Sequence, residues 1–252
     1  MGALGFVLPQ VSDIGSGWTD LLTTAGIFGA VLCQLPGFMV RARIREQFFQ
    51  NLAHSLGLSY TKQAPAPFDA GLLFTFGNSR YLSGIIQGTH SDHDIRIYAL
   101  NYRTGSGKNA SWHALQVYEI DTHTQLPELM VRSKEVALPG AFWRPAGTRP
   151  LTLEGTFSTQ FDVFAPEGME IEALQVLDDR HMRILSESLS AWGLYSFGTM
   201  LYVFSDDRMS ETRTGFLDAL TRVDKLADTL VPDFIQISND VVELKKAFSK
   251  AA

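Results

Sequence analysis

The fold is decided by residues 93–121, HDIRIYALNYRTGSGKNASWHALQVYEID. Two apolar and aromatic runs of strand length, His93–Arg103 and Ser111–Asp121, flank the segment Thr104–Asn109. That segment contains two glycines and an asparagine, which supply the positive φ angles that a tight turn needs. The stretch therefore predicts one long antiparallel β-hairpin.

The turn of this hairpin also contains part of the pattern of a phosphate-binding loop, Gly105–Lys108 (GSGK). The full pattern requires glycine at the position of Tyr102 and Ser or Thr at the position of Asn109. It also requires a helix to follow, because the helix N-terminus binds the anion, whereas a strand is predicted here. We therefore interpret the segment as a hairpin turn.

Further segments of strand and helix length surround the hairpin. The predicted strands are Leu72–Phe76, Tyr81–Gln87, Leu129–Arg132, Phe161–Phe164 and the run Tyr195–Phe204, which turns at Gly198. The predicted helices are Glu167–Leu174 after Pro166, Asp179–Trp192 capped by Asp178, an amphipathic helix from Ser210 to Pro232, and a tail helix over Asn239–Phe248. Because strands and helices segregate rather than alternate, the sequence predicts an α+β fold with an antiparallel sheet and packed helices.

Composition excludes several classes of protein. The 252 residues are 45% hydrophobic and carry a formal net charge of −6, so neither a disordered chain nor a nucleic-acid binder with a basic surplus is expected. The one cysteine, Cys33, excludes an internal disulfide and a multi-cysteine zinc module. The sequence contains no motif that assigns a catalytic residue, and no cofactor is expected.

The N-terminal 40 residues carry only two charged side chains, both of them aspartates. Residues 21–40, LLTTAGIFGAVLCQLPGFMV, are uncharged and as a helix would span about 30 Å, the thickness of a bilayer core. Arg41, Arg43 and Arg45 follow directly and are expected at the membrane surface among anionic headgroups. The positive-inside rule then predicts a single-pass protein of the cell membrane, with its N-terminus outside and its main domain in the cytoplasm.

The alternatives to a membrane span in this segment are a signal peptide, a lipoprotein anchor and a buried core helix. A signal peptide needs positive charge before its apolar run, and a lipoprotein anchor needs a small residue before Cys33, where Leu32 stands. The alternative that stays open is a buried core helix, because Gln34, Pro36 and three glycines make the run a mediocre spanning segment.

One face of the predicted span carries small and polar side chains. Gly26, Ala30 and Gln34 are spaced by four, and Thr23 lies one turn before Gly26. Small residues let two backbones approach closely in lipid, and Gln34 would hydrogen-bond across the contact. The expected partners are therefore the lipid bilayer and, through this face, a second copy or another membrane protein, with no nucleic acid.

The helix is predicted to continue beyond the span as an amphipathic segment. Ile44, Phe48, Leu52 and Leu56 recur every four residues, and Gly57 is the expected stop. The predicted organisation is an extracytoplasmic N-terminus (1–20), a transmembrane helix (21–40), a juxtamembrane helix (41–57), a soluble α+β domain (58–235) and a C-terminal helical tail (236–252).

Histidine and aspartate side chains are predicted to meet at the open end of the hairpin. If the turn centres on Gly107, His93 faces Asp121 and His90 lies near His123. These groups are ligands suited to zinc or manganese, so we predict a metal site of His90, His93, Asp121 and His123, with Asp92 and Asp94 around it. The alternative is a polar, solvated strand end, and His90-Ser-Asp-His93 is also ordinary turn composition. A one-residue shift in register would turn these side chains to opposite faces.

Several segments share a pattern with known sequences: Ile85–His90, Tyr102–Asn109, Leu153–Phe157 with Phe161–Pro166, and Ile171–Leu174. Together they resemble a family of membrane-anchored bacterial proteins of unknown function, common in candidate-phyla lineages with reduced genomes. The resemblance covers residues 40–230. It implies one N-terminal hydrophobic segment, basic residues and an α+β domain, and it assigns no catalytic residues.

The sequence therefore favours a membrane-anchored, non-enzymatic protein that works by binding or assembly. One alternative is a membrane-tethered, metal-dependent hydrolase that uses the His/Asp cluster. Another is an accessory subunit of a larger membrane complex, which the span would anchor.

Overall fold

The computed structural model describes residues 40–67, 71–136, 147–153 and 155–251. The chain divides into two compact units, Met1–Gln47 and Phe48–Ala252. Of the first unit the structure describes only residues 40–47, which are helical. They form the beginning of the described part of helix α1 (40–55), whose later residues belong to the second unit.

The second unit is an antiparallel sheet with helices packed against it. In the described residues its strands are β1 (Ser59–Pro65), β2 (Asn78–His90), β3 (His93–Thr104), β4 (Ser111–Asp121), β5 (Leu129–Ser133), β6 (Thr148–Leu151), β7 (Phe161–Pro166), β8 (Gly193–Phe197) and β9 (Met200–Ser205). The helices that follow α1 are α2 (Phe157–Gln160), α3 (Glu170–Val176), α4 (Asp179–Ser188) and α5 (Arg213–Ala251). This arrangement confirms the prediction of an α+β fold with an antiparallel sheet.

The nine described strands form one sheet in the order β1-β2-β3-β4-β9-β8-β5-β7-β6, and every neighbouring pair is antiparallel. The predicted long hairpin is confirmed as β3–β4, with bounds within one residue of those expected. The run that turns at Gly198 is confirmed as the hairpin β8–β9, in which Gly198 has φ 62°.

Each face of the sheet has its own hydrophobic core. On one face, Ile97, Tyr118 and Val203 belong to a core that also contains Phe216 and Leu220 of α5. The other face is covered by Ala66 and residues 72–76. It is rich in aromatic side chains, namely Phe74, Phe76, Tyr98, Tyr102, Tyr195, Tyr202 and Phe204. Successive side chains of β4 point to opposite faces of the sheet, which explains the two cores. Leu115 and Val117 face the aromatic core, and Tyr118 and Ile120 face the helices.

Within the second unit, the last turns of α1 pack on the helical face. Phe49, Leu52 and Ala53 are buried there, with Phe48 and Leu56 half-buried beside them. The helix ends in a Schellman-type turn: Gly57 has φ 72°, and the Leu58 N–H donates to the Ala53 carbonyl over 2.9 Å. Gly57 is therefore the stop that the sequence indicated.

One predicted strand is wrong. Leu72–Phe76 was expected to be extended, but Leu72–Thr75 forms a 3-10 turn that lies over the aromatic face of the sheet. The consecutive residues Leu73 and Phe74 are both buried, which a strand with only one covered face does not allow. The Leu72 N–H donates to the Tyr195 hydroxyl over 2.9 Å and fixes the turn in place.

Two helix boundaries also differ from the prediction. Pro166 is the last residue of β7 rather than the start of a helix, because the chain turns at Gly168 (φ 88°) before α3 begins at Glu170. Helix α4 begins after Asp178 as expected, with the Asp178 carboxylate accepting the His181 N–H, but it ends at Ser188 instead of Trp192.

The prediction that Pro232 ends its helix is wrong, as is the separate tail helix, because α5 continues unbroken from Arg213 to Ala251. A proline inside a helix removes one hydrogen bond and costs about 3 kcal/mol. Buried side chains on both sides of it, Leu230 and Phe234, offset that cost.

The membrane predictions fall mainly on residues that the structure does not describe. Thr23, Gly26, Ala30 and Gln34 lie outside the described residues, as does the predicted span 21–40 except for its last residue. Arg41, Arg43 and Arg45 all lie on α1. Among the residues that are described, no helix is both long enough and apolar enough to cross a bilayer.

Candidate functional site

The predicted His/Asp cluster depends on the register of the β3–β4 hairpin, and the register differs by one residue. Asp94 rather than His93 lies opposite Asp121. The extra residue is taken up in the turn, where Gly107–Asn109 forms a short 3-10 turn. His93 instead lies opposite His90 across a two-residue turn between β2 and β3, formed by Ser91 and Asp92 with φ angles of 49° and 66°.

The three predicted imidazoles have different carboxylate partners. His90 Nε2 lies 3.4 Å from Asp224 Oδ2, and His93 Nε2 lies 2.8 Å from Asp228 Oδ1, both on α5. His123 lies instead beside Asp94 and Asp121, at 3.3 and 3.5 Å. In the part of the chain that the structure describes, no group of three or more His, Cys, Asp or Glu side chains is placed to hold a metal ion.

Helix α5 carries a third such pair, which is more deeply buried. Asp233 Oδ2 lies 3.0 Å from Nε2 of His181, and Arg180 contacts the same carboxylate oxygen at 2.6 Å. The Asp178 carboxylate lies 2.7 Å from the other ring nitrogen of His181, at ion-pair distance. These pairs attach α5 to the β2–β3 turn and to α4, so their role in the structure is to position the helix.

Two carboxylates are paired with tyrosines at the aromatic face of the sheet. The Tyr98 hydroxyl donates to Glu119 Oε2 over 2.8 Å, and the Tyr195 hydroxyl donates to Glu128 Oε1 over 2.9 Å. Burial raises the pKa of both Glu119 and Glu128 above the ordinary glutamate value. The first pair joins β3 to β4, and the second joins β8 to the residue before β5. The Tyr195 hydroxyl also accepts the Leu72 N–H.

These raised pKa values predict that the protein loses stability as the pH rises. Above pH 4.5, the ordinary glutamate pKa, the folded state holds protons on Glu119 and Glu128 that the unfolded state has released. The unfolding free energy therefore falls as the pH rises through the raised pKa values. Urea unfolding followed from about pH 4.5 to about pH 7.5 should show a shallower fall of the unfolding free energy for Glu119→Gln and Glu128→Gln. Glu187→Gln, an exposed position on α4, is the matched control and should leave the pH profile unchanged.

A cleft at the turn end of the β3–β4 hairpin is the best candidate for a binding site. It has a volume of about 370 Å³, which is at the lower end of the range for small-ligand sites. Its lining includes Asn101, Tyr102, Trp112, His113, Asp206 and Arg208. The first four side chains come from β3 and β4, and the last two follow the end of β9.

Aromatic contacts hold the cleft's rings in place. Trp112 is 58% exposed, although its ring meets Tyr81 edge to face at 5.8 Å. The His113 ring stacks on Tyr102 at 5.4 Å, and its Nε2 lies 2.8 Å from Thr104 Oγ1. An exposed tryptophan that is fixed on a strand offers a rigid apolar surface to a ligand.

Polar and charged groups complete the cleft. Burial and the nearby Asp206 carboxylate both raise the pKa of Tyr102, so its hydroxyl stays protonated and can donate a hydrogen bond. Arg208 is an exposed guanidinium on the same wall as Asp206. The arrangement combines one apolar ring surface with hydrogen-bonding groups, one negative charge and one positive charge. It suits recognition of a ligand that is neither strongly acidic nor strongly basic.

No family model matches the chain, and no curated protein matches it. A solved structure has a similar fold. It is the crystal structure of the mycobacterial trehalose monomycolate transport factor A, TtfA, which superposes with a TM-score of 0.50 at 13% sequence identity. The match to TtfA covers 73% of this chain and 94% of TtfA. At that identity the likeness to TtfA is one of fold.

Sequence reasoning missed the cleft because its two walls are far apart in the chain. Trp112 gave a usable signal, since a tryptophan between Ser111 and His113 at the polar end of a strand is a candidate for exposure. Asp206 and Arg208 gave none, because only the pairing of β4 with β9 brings them to the hairpin turn.

Proposed function

We propose that this chain is a membrane-anchored, non-enzymatic binding protein whose ligand site is the cleft beside Trp112. The observation that carries the proposal is the exposed, fixed Trp112 ring next to hydrogen-bonding and charged groups in one cleft. The anchor is supported by the uncharged residues 21–40 and the three arginines that follow them. The cleft lies on strands rather than on long loops, which favours a preformed site.

Removal of the Trp112 ring is expected to abolish ligand retention. Full-length protein in mild detergent would be incubated with an extract of the cells that express it, washed, and analysed by native mass spectrometry. The unmodified protein should retain a bound species that Trp112→Ala loses by about tenfold or more, because the ring is the main apolar contact of the cleft. Ile44→Ala, which changes another exposed apolar residue on α1, is the matched control. Equal retention by Trp112→Ala and the unmodified protein would contradict the proposal.

The membrane topology gives a second prediction. A reporter enzyme that is active only outside the cytoplasm should be inactive when it is fused after Ala252, because the arginines at 41, 43 and 45 keep that side of the span in the cytoplasm. Replacement of all three arginines by glutamine should raise reporter activity. Strong activity of the fusion with the arginines intact would show that the predicted orientation is wrong.

A second candidate function is that of an accessory subunit in a larger membrane complex. TtfA is a trehalose monomycolate transport factor, and α3 adds an observation from this chain. Ile171 is 72% exposed, with exposed Met169 and Leu174 on or beside the same short helix, and such apolar surface is typical of protein contacts. If this candidate is right, Ile171→Ser with Leu174→Ser should reduce the size of the complex in mild detergent, while Trp112→Ala leaves the size unchanged.

A further inference from the structure

The cleft runs along a strand edge that lacks a partner strand. Strand β3 pairs with the whole of β4, from Ser111 to Asp121. Strand β9 covers only part of the other edge, because its pairing with β4 stops at Gln116, opposite Ser205. In the described residues, 111–115 therefore have a neighbouring strand on one side only.

The chain that leaves β9 turns away from this edge. The Asp207 N–H donates to the Ser205 side-chain oxygen over 3.1 Å, which ends the ladder. Met209 is then buried in the core on the helical face of the sheet. Within the described part of the chain, no backbone hydrogen bond connects residues 207–210 with residues 111–115. Alternate backbone N–H and C=O groups of 111–115 consequently point into the cleft.

The cleft occupies the place that a longer β9 would take. Trp112, His113, Ala114 and Leu115 line it consecutively along one side, and Asp206 and Arg208 line the other. Five strand residues span about 17 Å. The shape and the backbone groups of the cleft are therefore those that an added strand requires.

The residues of this edge differ from those of the sheet's outer edges. Natural sheets protect exposed edges with charged side chains and proline. The outer strand β1 carries Lys62 and Pro65, and the outer strand β6 carries Arg149 and Pro150. Residues 111–115 are Ser-Trp-His-Ala-Leu, with no proline and no lysine or arginine. This edge therefore lacks those protecting residues and is open to pairing.

We infer that the cleft binds an extended peptide segment, which adds to the free edge of β4 as an extra strand. This inference rests on the proposed function and names the class of ligand. Main-chain hydrogen bonds to 111–115 supply the affinity, and an apolar side chain of the peptide packs on the Trp112 ring. Asp206 and Arg208 contribute one charge of each sign, so the peptide needs no strong net charge.

The test uses a fluorescein-labelled peptide of five alternating valine and threonine residues and the full-length protein in mild detergent. Fluorescence anisotropy should show saturable binding with a Kd below about 1 mM. The same peptide with every backbone amide N-methylated should bind at least tenfold more weakly, because methylation removes its main-chain donors. Trp112→Ala should weaken binding of the plain peptide by about tenfold, and Ile44→Ala should leave it unchanged.

Three results would overturn the inference: no binding of the plain peptide up to about 1 mM, equal binding of the methylated peptide, or equal binding by Trp112→Ala. If any of these occurs while Trp112→Ala still loses the species retained from the cell extract, the cleft binds a ligand of another class. The proposed function then stands without the inference. If the extract experiment also shows no dependence on Trp112, both fail.

Discussion

Replacement of Phe234 by alanine is expected to lower the free energy of unfolding by about 3–5 kcal/mol. Phe234 lies two residues beyond Pro232 in α5, and its side chain is fully buried. Its ring lies 6.0 Å from that of His181, measured between centroids, so truncation opens a cavity between α5 and α4. Urea unfolding of the full-length protein, followed by tryptophan fluorescence, measures the loss.

The control for Phe234→Ala is Ile171→Ala, which removes an apolar side chain that is 72% exposed. That substitution should change the unfolding free energy by no more than about 0.5 kcal/mol. If both variants show the same small effect, the residues beyond Pro232 do not pack against the domain. The continuous helix α5 would then be wrong, and the helix would end at the proline.

Removal of the Asp233 carboxylate is expected to cost about 2–3 kcal/mol. Its partner His181 is 3% exposed, so Asp233→Ala leaves a buried imidazole nitrogen without its hydrogen bond and also removes the contact with Arg180. Asp228→Ala is a matched control on the same helix. Asp228 also pairs with a histidine, His93, but its side chain is 64% exposed.

Exposed ion pairs contribute little because water screens them, so Asp228→Ala should cost less than about 1 kcal/mol. The two variants are compared by urea unfolding at about pH 5.5 and 7.5, which is about one pH unit on either side of an ordinary histidine pKa. If Asp228→Ala costs as much as Asp233→Ala, burial does not decide the strength of the pairs along α5.

The sequence predicted the β3–β4 hairpin well. The bounds of β3 and β4 agree within one residue with the predicted strands, because alternating apolar residues and a glycine-containing turn are local signals. The turn at Ser91 and Asp92 gave a weaker signal because neither residue is a glycine, although both have positive φ. Positive φ is uncommon outside glycine, so a glycine-free turn of this kind gives a weak signal.

The error at Pro232 has a different origin. The apolar stripe of α5 continues past the proline, since Phe234 follows Leu230 by four residues, and that periodicity was the available signal. A proline is the stronger local signal for a helix end, so the sequence predicts a stop at Pro232. In the folded chain the burial of Phe234 outweighs the hydrogen bond that the proline removes.

The candidate site was less predictable than the fold. The metal hypothesis placed four residues together by assuming a register, and a shift of one residue directs His93 toward α5 and leaves His123 beside Asp94 and Asp121. The cleft depends on where β9 stops pairing with β4. That end point is set by long-range packing, which no local pattern encodes.

Hydrogen exchange read out by mass spectrometry tests the central claim, binding in the cleft, most directly. Full-length protein in mild detergent would be compared with and without the extract of the expressing cells. The account predicts slower exchange of the backbone amides in 111–115 and 206–208, and no such slowing in Trp112→Ala. Protection confined to α3, or no protection at 111–115, would contradict it.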